Sequence, residues 1–116
     1  MERVVIKVYA GLYPADAACA DAVRRAGAAA IHDSGDPWLV HDRDLLRISF
    51  EGLHFPEDEV IAALEACLPA HALGKVDVLD LEAWELRRYA REDGTFRLSR
   101  RDLNQVLDYA ALSITS

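Results

Sequence analysis

The spacing of apolar residues alternates along this chain between the period of a strand and the period of a helix, and this order limits the fold more than any other feature. Residues 3–9 are rich in β-branched side chains, with alternate residues on one face, which predicts a strand. We expect Gly11 to end that strand. Pro14 then suits a first helical position, and an alanine-rich helix is predicted to continue to residue 30.

The middle of the chain repeats the strand and helix patterns. Residues 38–41 and 45–51 are predicted to form a hairpin that turns at residues 42–44, because apolar residues alternate in its arms. Pro56 is a strong helix start, since proline needs no N–H donor there and the three carboxylates after it complement the positive end of a helix. We expect Pro69 to end this second helix.

A strand over residues 76–79 completes the order strand, helix, strand, strand, helix, strand. This is the order of the ferredoxin-like split βαββαβ unit, an antiparallel sheet with two helices on one face. The predicted fold class is therefore α+β, with this sheet at its centre. We expect one domain over residues 1–112 and a frayed tail at residues 113–116.

Residues 80–101 are compatible with two structures. Helix propensity favours a helix that Gly94 would stop. A β-hairpin with a three-residue loop at residues 92–94 instead gathers most apolar side chains of the segment on one face, namely Trp84, Leu86, Ala90, Phe96 and Leu98. The hairpin is our prediction, and the helix stays open as the alternative. A capping-box pattern at residues 99–102 predicts a final helix in either case.

The composition is that of a globular protein. Apolar residues make up 52% of the chain and charged residues 28%, so the sequence indicates neither a disordered chain nor a collagen. Charges interrupt every apolar stretch, so no membrane span is expected, and the first residues lack the core of a signal peptide. We therefore expect a soluble, cytoplasmic protein without a membrane partner.

The two cysteines lie far apart in the sequence. Cys19 and Cys67 each fall on the apolar stripe of a different predicted helix, and the spacing is not that of a C-x-x-C motif. A reactive thiol needs a neighbouring base and some exposure, and the sequence offers neither. We expect both residues to be buried structural thiols.

The formal net charge of −7 is unevenly distributed. Residues 1–83 carry a net charge of −8, whereas residues 84–101 carry +3. An acidic body repels nucleic acids at long range, so any nucleic-acid binding would depend on the short arginine-rich segment alone. On these grounds nucleic acid is not expected as a partner.

A polar cluster between residues 32 and 44 is the first candidate site. Imidazole and carboxylate groups are ligands for divalent metal ions, and they also carry acid–base chemistry near neutral pH. The spacing matches no established metal motif, so ordinary loop solvation is the explanation that we favour, and a metal site is the functional alternative. Within the cluster we predict His32, His41 and Asp44 as the metal ligands. The sequence indicates no other cofactor.

An arginine-rich strip is the second candidate site. In the predicted hairpin, Arg87, Tyr89, Arg91 and Arg97 share one face of the sheet. Guanidinium groups beside an aromatic ring suit a phosphate or a stacked base. The strip is therefore a candidate site for an anion or a single-stranded nucleic acid. A solvated face, or docking against an acidic surface of the same or a second subunit, is the interpretation that we favour, because the body of the chain is acidic.

A non-catalytic module is the leading functional hypothesis. The sequence contains neither a glycine-rich phosphate loop nor a nucleophile elbow. Val5, Tyr9 and Leu45 are expected on the sheet face that the helices leave open, and such a face needs a cover. We expect a homodimer, or a complex with a protein or a small effector. The alternatives are a small metal-dependent enzyme that uses the loop cluster, and anion or nucleic-acid binding by the strip.

Overall fold

The computed structural model describes residues 4–28, 30–31 and 37–105, which form an α+β fold with one six-stranded antiparallel sheet. Two helices pack against that sheet. The elements are β1 Ile6–Tyr13, α1 Ala17–Ala28, β2 Leu39–Asp42, β3 Leu45–Gly52, α2 Glu57–Cys67, β4 Leu73–Asp80, β5 Glu85–Glu92 and β6 Thr95–Asp102.

The sheet has the strand order β2-β3-β1-β4-β5-β6, and all its neighbouring strands are antiparallel. β1 therefore lies inside the sheet, hydrogen-bonded to β3 on one side and to β4 on the other. The hairpin of β5 and β6 extends the sheet beyond β4.

The hydrophobic core lies between the helices and one face of this sheet. Val8 and Leu12 of β1 are fully buried there, together with Val23 of α1 and Leu64 of α2. The intervening residues of each strand point away from the helices, because side chains alternate along a strand. We call this second side of the sheet the open face. Its strand positions are Lys7, Tyr9, Gly11, Tyr13, Val40, Asp42, Leu45, Arg47, Ser49, Glu51, Leu73, Lys75, Asp77, Leu79, Leu86, Arg88, Ala90, Glu92, Thr95, Arg97, Ser99 and Arg101.

The predicted end of the first strand was wrong. β1 continues through Gly11 to Tyr13, because Gly11 pairs with β3 on one side and β4 on the other, and this two-sided pairing keeps the backbone extended. The helix begins at Ala17, three residues after Pro14. Its start is fixed by Asp16, whose carboxylate accepts a hydrogen bond of 2.8 Å from the Cys19 N–H.

Residues 85–102 form the predicted hairpin, and the helical alternative was wrong. Its loop has two residues rather than three: Asp93 and Gly94 have φ angles of 51° and 82°, as a type I′ turn requires. The register consequently differs by one residue, and Arg91 pairs with Phe96. Phe96 therefore packs on the helix side of the sheet, not on the face of Leu86 and Ala90 as the three-residue loop predicted.

The two cysteines form a disulfide, so the prediction of separate thiols was wrong. Cys19 and Cys67 lie on α1 and α2 with their Cα atoms 5.2 Å apart. Both residues were correctly placed on apolar helix stripes, but the sequence contains no signal that the two stripes face each other. The bond joins the helices across 48 residues of chain.

Gly74 of β4 allows a close approach between two strands. Its φ angle is +131°, and a Cβ atom there would lie 2.0 Å from the carbonyl oxygen of Gly11. We expect Gly74→Ala to lower the free energy of unfolding by at least about 2 kcal/mol, because both the dihedral strain and the backbone clash act against it. Urea denaturation measures this change. An unchanged midpoint would contradict the described β1–β4 approach.

Leu103 to Gln105 begin a helical turn after β6. The rest of the predicted final helix and the tail at residues 113–116 lie outside the described residues. Among the residues that are described, no helix is both long enough and apolar enough to cross a membrane.

Candidate functional site

A shallow groove of about 420 Å³ crosses the open face of the sheet. It lies over the adjacent strands β3, β1 and β4, and the segment before β2 forms one of its ends. Its lining combines aromatic, apolar, cationic, polar and acidic side chains with the backbone of Gly11; the side chains are those of Tyr9, Pro37, Val40, Arg47, Ser49, Lys75 and Asp77. We call it the Gly11 groove.

Gly11 forms the floor of this groove and has no structural reason to be a glycine. A Cβ atom at this position would meet no heavy atom of residues 4–28, 30–31 and 37–105 within 4 Å, and its φ angle is not positive. Glycine in the interior of a strand costs about 0.5–1 kcal/mol of stability relative to alanine. The fold thus accepts a less stable residue where a side chain would fit, and the space above Gly11 stays open.

Two cationic side chains lie on either side of Gly11. In the register of the sheet, Gly11 is level with Arg47 of β3 and with Lys75 of β4, and both are exposed. The Lys75 ammonium is 3.7 Å from the carboxylate of Asp77, which also accepts hydrogen bonds of 2.7 and 3.0 Å from Arg88. The groove floor therefore carries positive charge on both sides of a residue without a side chain.

Tyr9 forms an aromatic wall of the groove. It lies two residues before Gly11 in β1 and therefore on the same face of the sheet. Its hydroxyl donates a hydrogen bond of 2.8 Å to Glu51, and this bond raises the pKa of Tyr9. The side chain is 39% exposed. The carboxylate thus fixes the ring by its hydroxyl end while leaving part of the ring accessible to a ligand.

Charge is distributed unevenly between the two sides of the molecule. The open-face positions of the six strands hold six lysine or arginine side chains and four acidic ones. Helix α2, on the other side, carries four carboxylates and no cationic residue. An acidic chain thus presents a cationic sheet face.

The predicted arginine-rich strip is not one surface. Arg87, Tyr89 and Arg91 lie on the helix side of β5, whereas Arg97 of β6 lies on the open face. The two-residue turn is the cause, because it shifts β6 by one residue and so moves its side chains to the opposite faces. Arg97 is 3.8 Å from Glu92, and its side chain is exposed.

Arg87 is the centre of a half-buried ion-pair network. Its guanidinium donates hydrogen bonds to Glu57 at 2.8 and 2.9 Å, to Asp80 at 3.1 Å and to Glu85 at 2.8 Å. The hydroxyl of Tyr89 donates to the same Glu57 carboxylate. This network attaches the first turn of α2 to β4 and β5.

The network shifts the pKa values of its members. Burial acts to raise the pKa of Glu57, but hydrogen bonds from Arg87 and Tyr89 outweigh it, and the pKa is lowered. The backbone N–H of Ala83 is the main cause of the lowered pKa of Asp80, and Arg87 adds to it. Burial and the Glu57 hydrogen bond raise the pKa of Tyr89. At neutral pH Glu57 and Asp80 are therefore ionised and Tyr89 is a neutral hydrogen-bond donor, as in a structural network.

Arg91 also has a structural role, since only 2% of its surface is exposed. Its guanidinium lies 5.1 Å from the ring centre of Phe96 and donates to the carbonyls of Leu68 and Pro69 at the end of α2. Within the described residues its Nε and Nη1 atoms have no hydrogen-bond partner.

The predicted metal ligands are only partly described. His32 lies outside the described residues. His41 of β2 has its Nε2 atom 2.7 Å from the carbonyl oxygen of Ala15, and Asp44 lies in the turn that follows β2. Across residues 4–28, 30–31 and 37–105, no three His, Cys, Asp or Glu side chains are grouped to hold one metal ion. The metal site remains a prediction that depends on His32.

The chain has no match among protein-family models, curated proteins or solved structures. Functional interpretation therefore depends on the Gly11 groove itself. None of Gly11, Arg47 and Lys75 was predicted as a site residue from the sequence. A glycine inside an alternating apolar strand was the available signal, and it was interpreted as the end of that strand.

Proposed function

We propose that this protein is a non-catalytic module with a ferredoxin-like core, and that it binds a small ligand in the Gly11 groove. The ferredoxin-like assignment concerns residues 6–80. It is supported by the order β1-α1-β2-β3-α2-β4, by the strand order β2-β3-β1-β4 and by the packing of both helices on one face. β5 and β6 then extend this unit.

The observation that carries the binding function is the open space above Gly11. A fold optimised only for stability would place a β-branched residue at the centre of an interior strand. Glycine in a strand without a bulge or a close packing partner favours the approach of another molecule. The groove also has the size at which small-molecule sites begin.

A binding role fits the side chains around the groove better than a catalytic role. Its described lining contains no histidine and no cysteine. Its carboxylate, Asp77, is held by Arg88 and Lys75, so it carries a compensated charge and not a free base. The alternative of a metal-dependent enzyme would have to use His41 and Asp44, which are not among the residues that line this groove, together with His32, which lies outside the described residues.

Self-association is the second candidate function. Tyr13 and Leu73 are paired at one end of the open face and are 57% and 65% exposed. Of the residues expected to form an apolar face, however, Val5 is buried, and Tyr9 lies among charged side chains. Since the core of a homodimer interface is apolar and poor in charge, we favour the small ligand over the homodimer.

The cytoplasmic location expected from the sequence remains a prediction. Disulfides persist in oxidising compartments and are rare in the reducing cytosol. The Cys19–Cys67 bond therefore favours an oxidising compartment, or an oxidised state of the protein. Alkylation of free thiols in intact cells measures which state is present, because only reduced Cys19 and Cys67 would be alkylated.

Filling the groove tests the proposed function. We expect Gly11→Val to fold with an unchanged or slightly higher free energy of unfolding, because its Cβ meets nothing and valine suits a strand. The probe is 8-anilinonaphthalene-1-sulfonate, a flat aromatic sulfonate, titrated by fluorescence. We expect saturable one-to-one binding to the wild type and at least a tenfold weaker affinity in the variant.

Ser99→Val is the matched control, because it adds similar bulk to an exposed open-face position on β6, outside the groove. It should bind the probe like the wild type. Equal binding by wild type and Gly11→Val, or no saturable binding by the wild type, would contradict the proposal. Light scattering at micromolar concentration measures self-association in the same samples.

A further inference from the structure

We infer that the ligand of the Gly11 groove is an organic acid with a flat apolar body, whose anionic group lies over Gly11 between Arg47 and Lys75. This inference rests on the proposed binding function and names the chemical class of its ligand. Carboxylate and phosphate share the relevant chemistry, since both are compact anions that accept several hydrogen bonds.

The position of the anionic group follows from the register of the sheet. Neighbouring strands lie about 4.8 Å apart, so the Cα atoms of Arg47 and Lys75 are separated by roughly 10 Å, with Gly11 midway between them. Long cationic side chains on both sides can reach over a residue that has none. An anion there accepts hydrogen bonds from a guanidinium and from an ammonium at once.

Arg47 is the stronger of the two cationic groups for this role. None of the described acidic side chains forms an ion pair with it, whereas Lys75 shares Asp77 with Arg88. Its guanidinium can bind a carboxylate or a phosphate through two parallel hydrogen bonds. An anionic ligand would supply Arg47 with an ion-pair partner on the open face.

The apolar body of the ligand follows from the rest of the lining. Tyr9 is the open-face residue that precedes Gly11 on β1, and its hydroxyl group donates a hydrogen bond to Glu51. Val40 and Pro37 are exposed at the β2 end of the groove. A planar group bound to the anion would lie against the Tyr9 ring and these two side chains, which a bare inorganic anion would leave uncovered.

The test compares four probes by isothermal titration calorimetry at low salt. They are benzoate, phenyl phosphate, inorganic phosphate and benzyl alcohol. We expect both aromatic acids to bind at least tenfold more tightly than benzyl alcohol, because only they accept the charge-assisted hydrogen bonds. Inorganic phosphate should bind more weakly than phenyl phosphate. The ratio of the affinities for benzoate and for phenyl phosphate shows whether the groove prefers a carboxylate or a phosphate.

Charge-neutral variants test whether Arg47 and Lys75 bind the anionic group of the ligand. Arg47→Gln and Lys75→Gln should each weaken the preferred acid about tenfold, and 200 mM salt should weaken binding to the wild type. Arg97→Gln is the control, because Arg97 is a cation of the same face that lies outside the groove. It should leave the affinity within a factor of two.

Two outcomes would overturn the inference. The first is benzyl alcohol binding as tightly as benzoate, and the second is unchanged affinity in both glutamine variants. If Gly11→Val still abolishes binding in either case, the small-ligand function stands and only the ligand class is wrong. If neither benzoate nor phenyl phosphate binds while the fluorescent sulfonate responds to Gly11→Val, the ligand class of flat organic anions and the proposed function stand, and carboxylate and phosphate are excluded as the anionic group.

Discussion

Removing the cross-link between Cys19 and Cys67 is expected to lower the free energy of unfolding by about 4 kcal/mol. The bond closes a loop with a sequence separation of 48, and a loop of that length restricts the unfolded chain by about this amount. The effect should be large because the bond joins both helices that cover the core. Chemical denaturation with and without dithiothreitol measures it.

A double variant provides the control for this prediction. Cys19→Ala combined with Cys67→Ala should show the lower stability of the reduced wild type and should not respond to dithiothreitol. Reduction removes the bond without deleting a side chain, so agreement between the two measurements isolates the cross-link. A wild type whose stability is the same in oxidised and reduced form would contradict the disulfide.

Replacing Arg87 by methionine is expected to lower the free energy of unfolding by about 3 kcal/mol or more. The substitution leaves the carboxylates of Glu57, Asp80 and Glu85 together without their cation, and breaking a buried ion pair on one side is strongly destabilising. The side chain of Arg87 is only 13% exposed, so solvent screens this loss weakly. Thermal and urea denaturation both report it.

Arg88 is the matched control, because it is the neighbouring arginine on the opposite face of the same strand. Its side chain is 40% exposed and pairs with Asp77 alone. Arg88→Met should cost less than about 1 kcal/mol, as exposed ion pairs do. Equal losses in the two variants would contradict the distinction between a half-buried network and a surface pair.

The pH dependence of stability provides a second measurement of the network. The folded state lowers the pKa values of Glu57 and Asp80 below their ordinary values of 4.5 and 3.8. Their stabilising contribution is therefore complete above pH 4.5 and decreases as the pH falls through the lowered values. In Arg87→Met the deficit should shrink on acidification, because protonation removes the repulsion between the carboxylates.

The sequence predicted the order of elements from β1 to β4 because periodicity and helix-start signals are local. Pro56 and the acidic turn after it marked the start of α2 within one residue. The hairpin of β5 and β6 was also predicted, but its register was wrong. We predicted a three-residue loop because it keeps most apolar residues of the hairpin on one face. In the structure Phe96 lies on the opposite face, where it packs against Arg91.

The candidate site was harder to predict, since its parts come from three strands. Gly11, Arg47 and Lys75 are far apart in the sequence and become neighbours only through the pairing of β1 with β3 and β4. The disulfide was missed for the same reason, because it depends on how two helices face each other. Contacts between distant segments carry no local pattern that a single sequence reveals.

Ligand binding in the Gly11 groove is tested most directly by a chemical-shift map of ¹⁵N-labelled protein titrated with benzoate. We expect the largest perturbations at the backbone amides of Gly11, Arg47 and Lys75, with a smaller effect at Tyr9, and we expect them to vanish in Gly11→Val. Perturbations centred on α1 or α2, or an equal response in Gly11→Val, would contradict it.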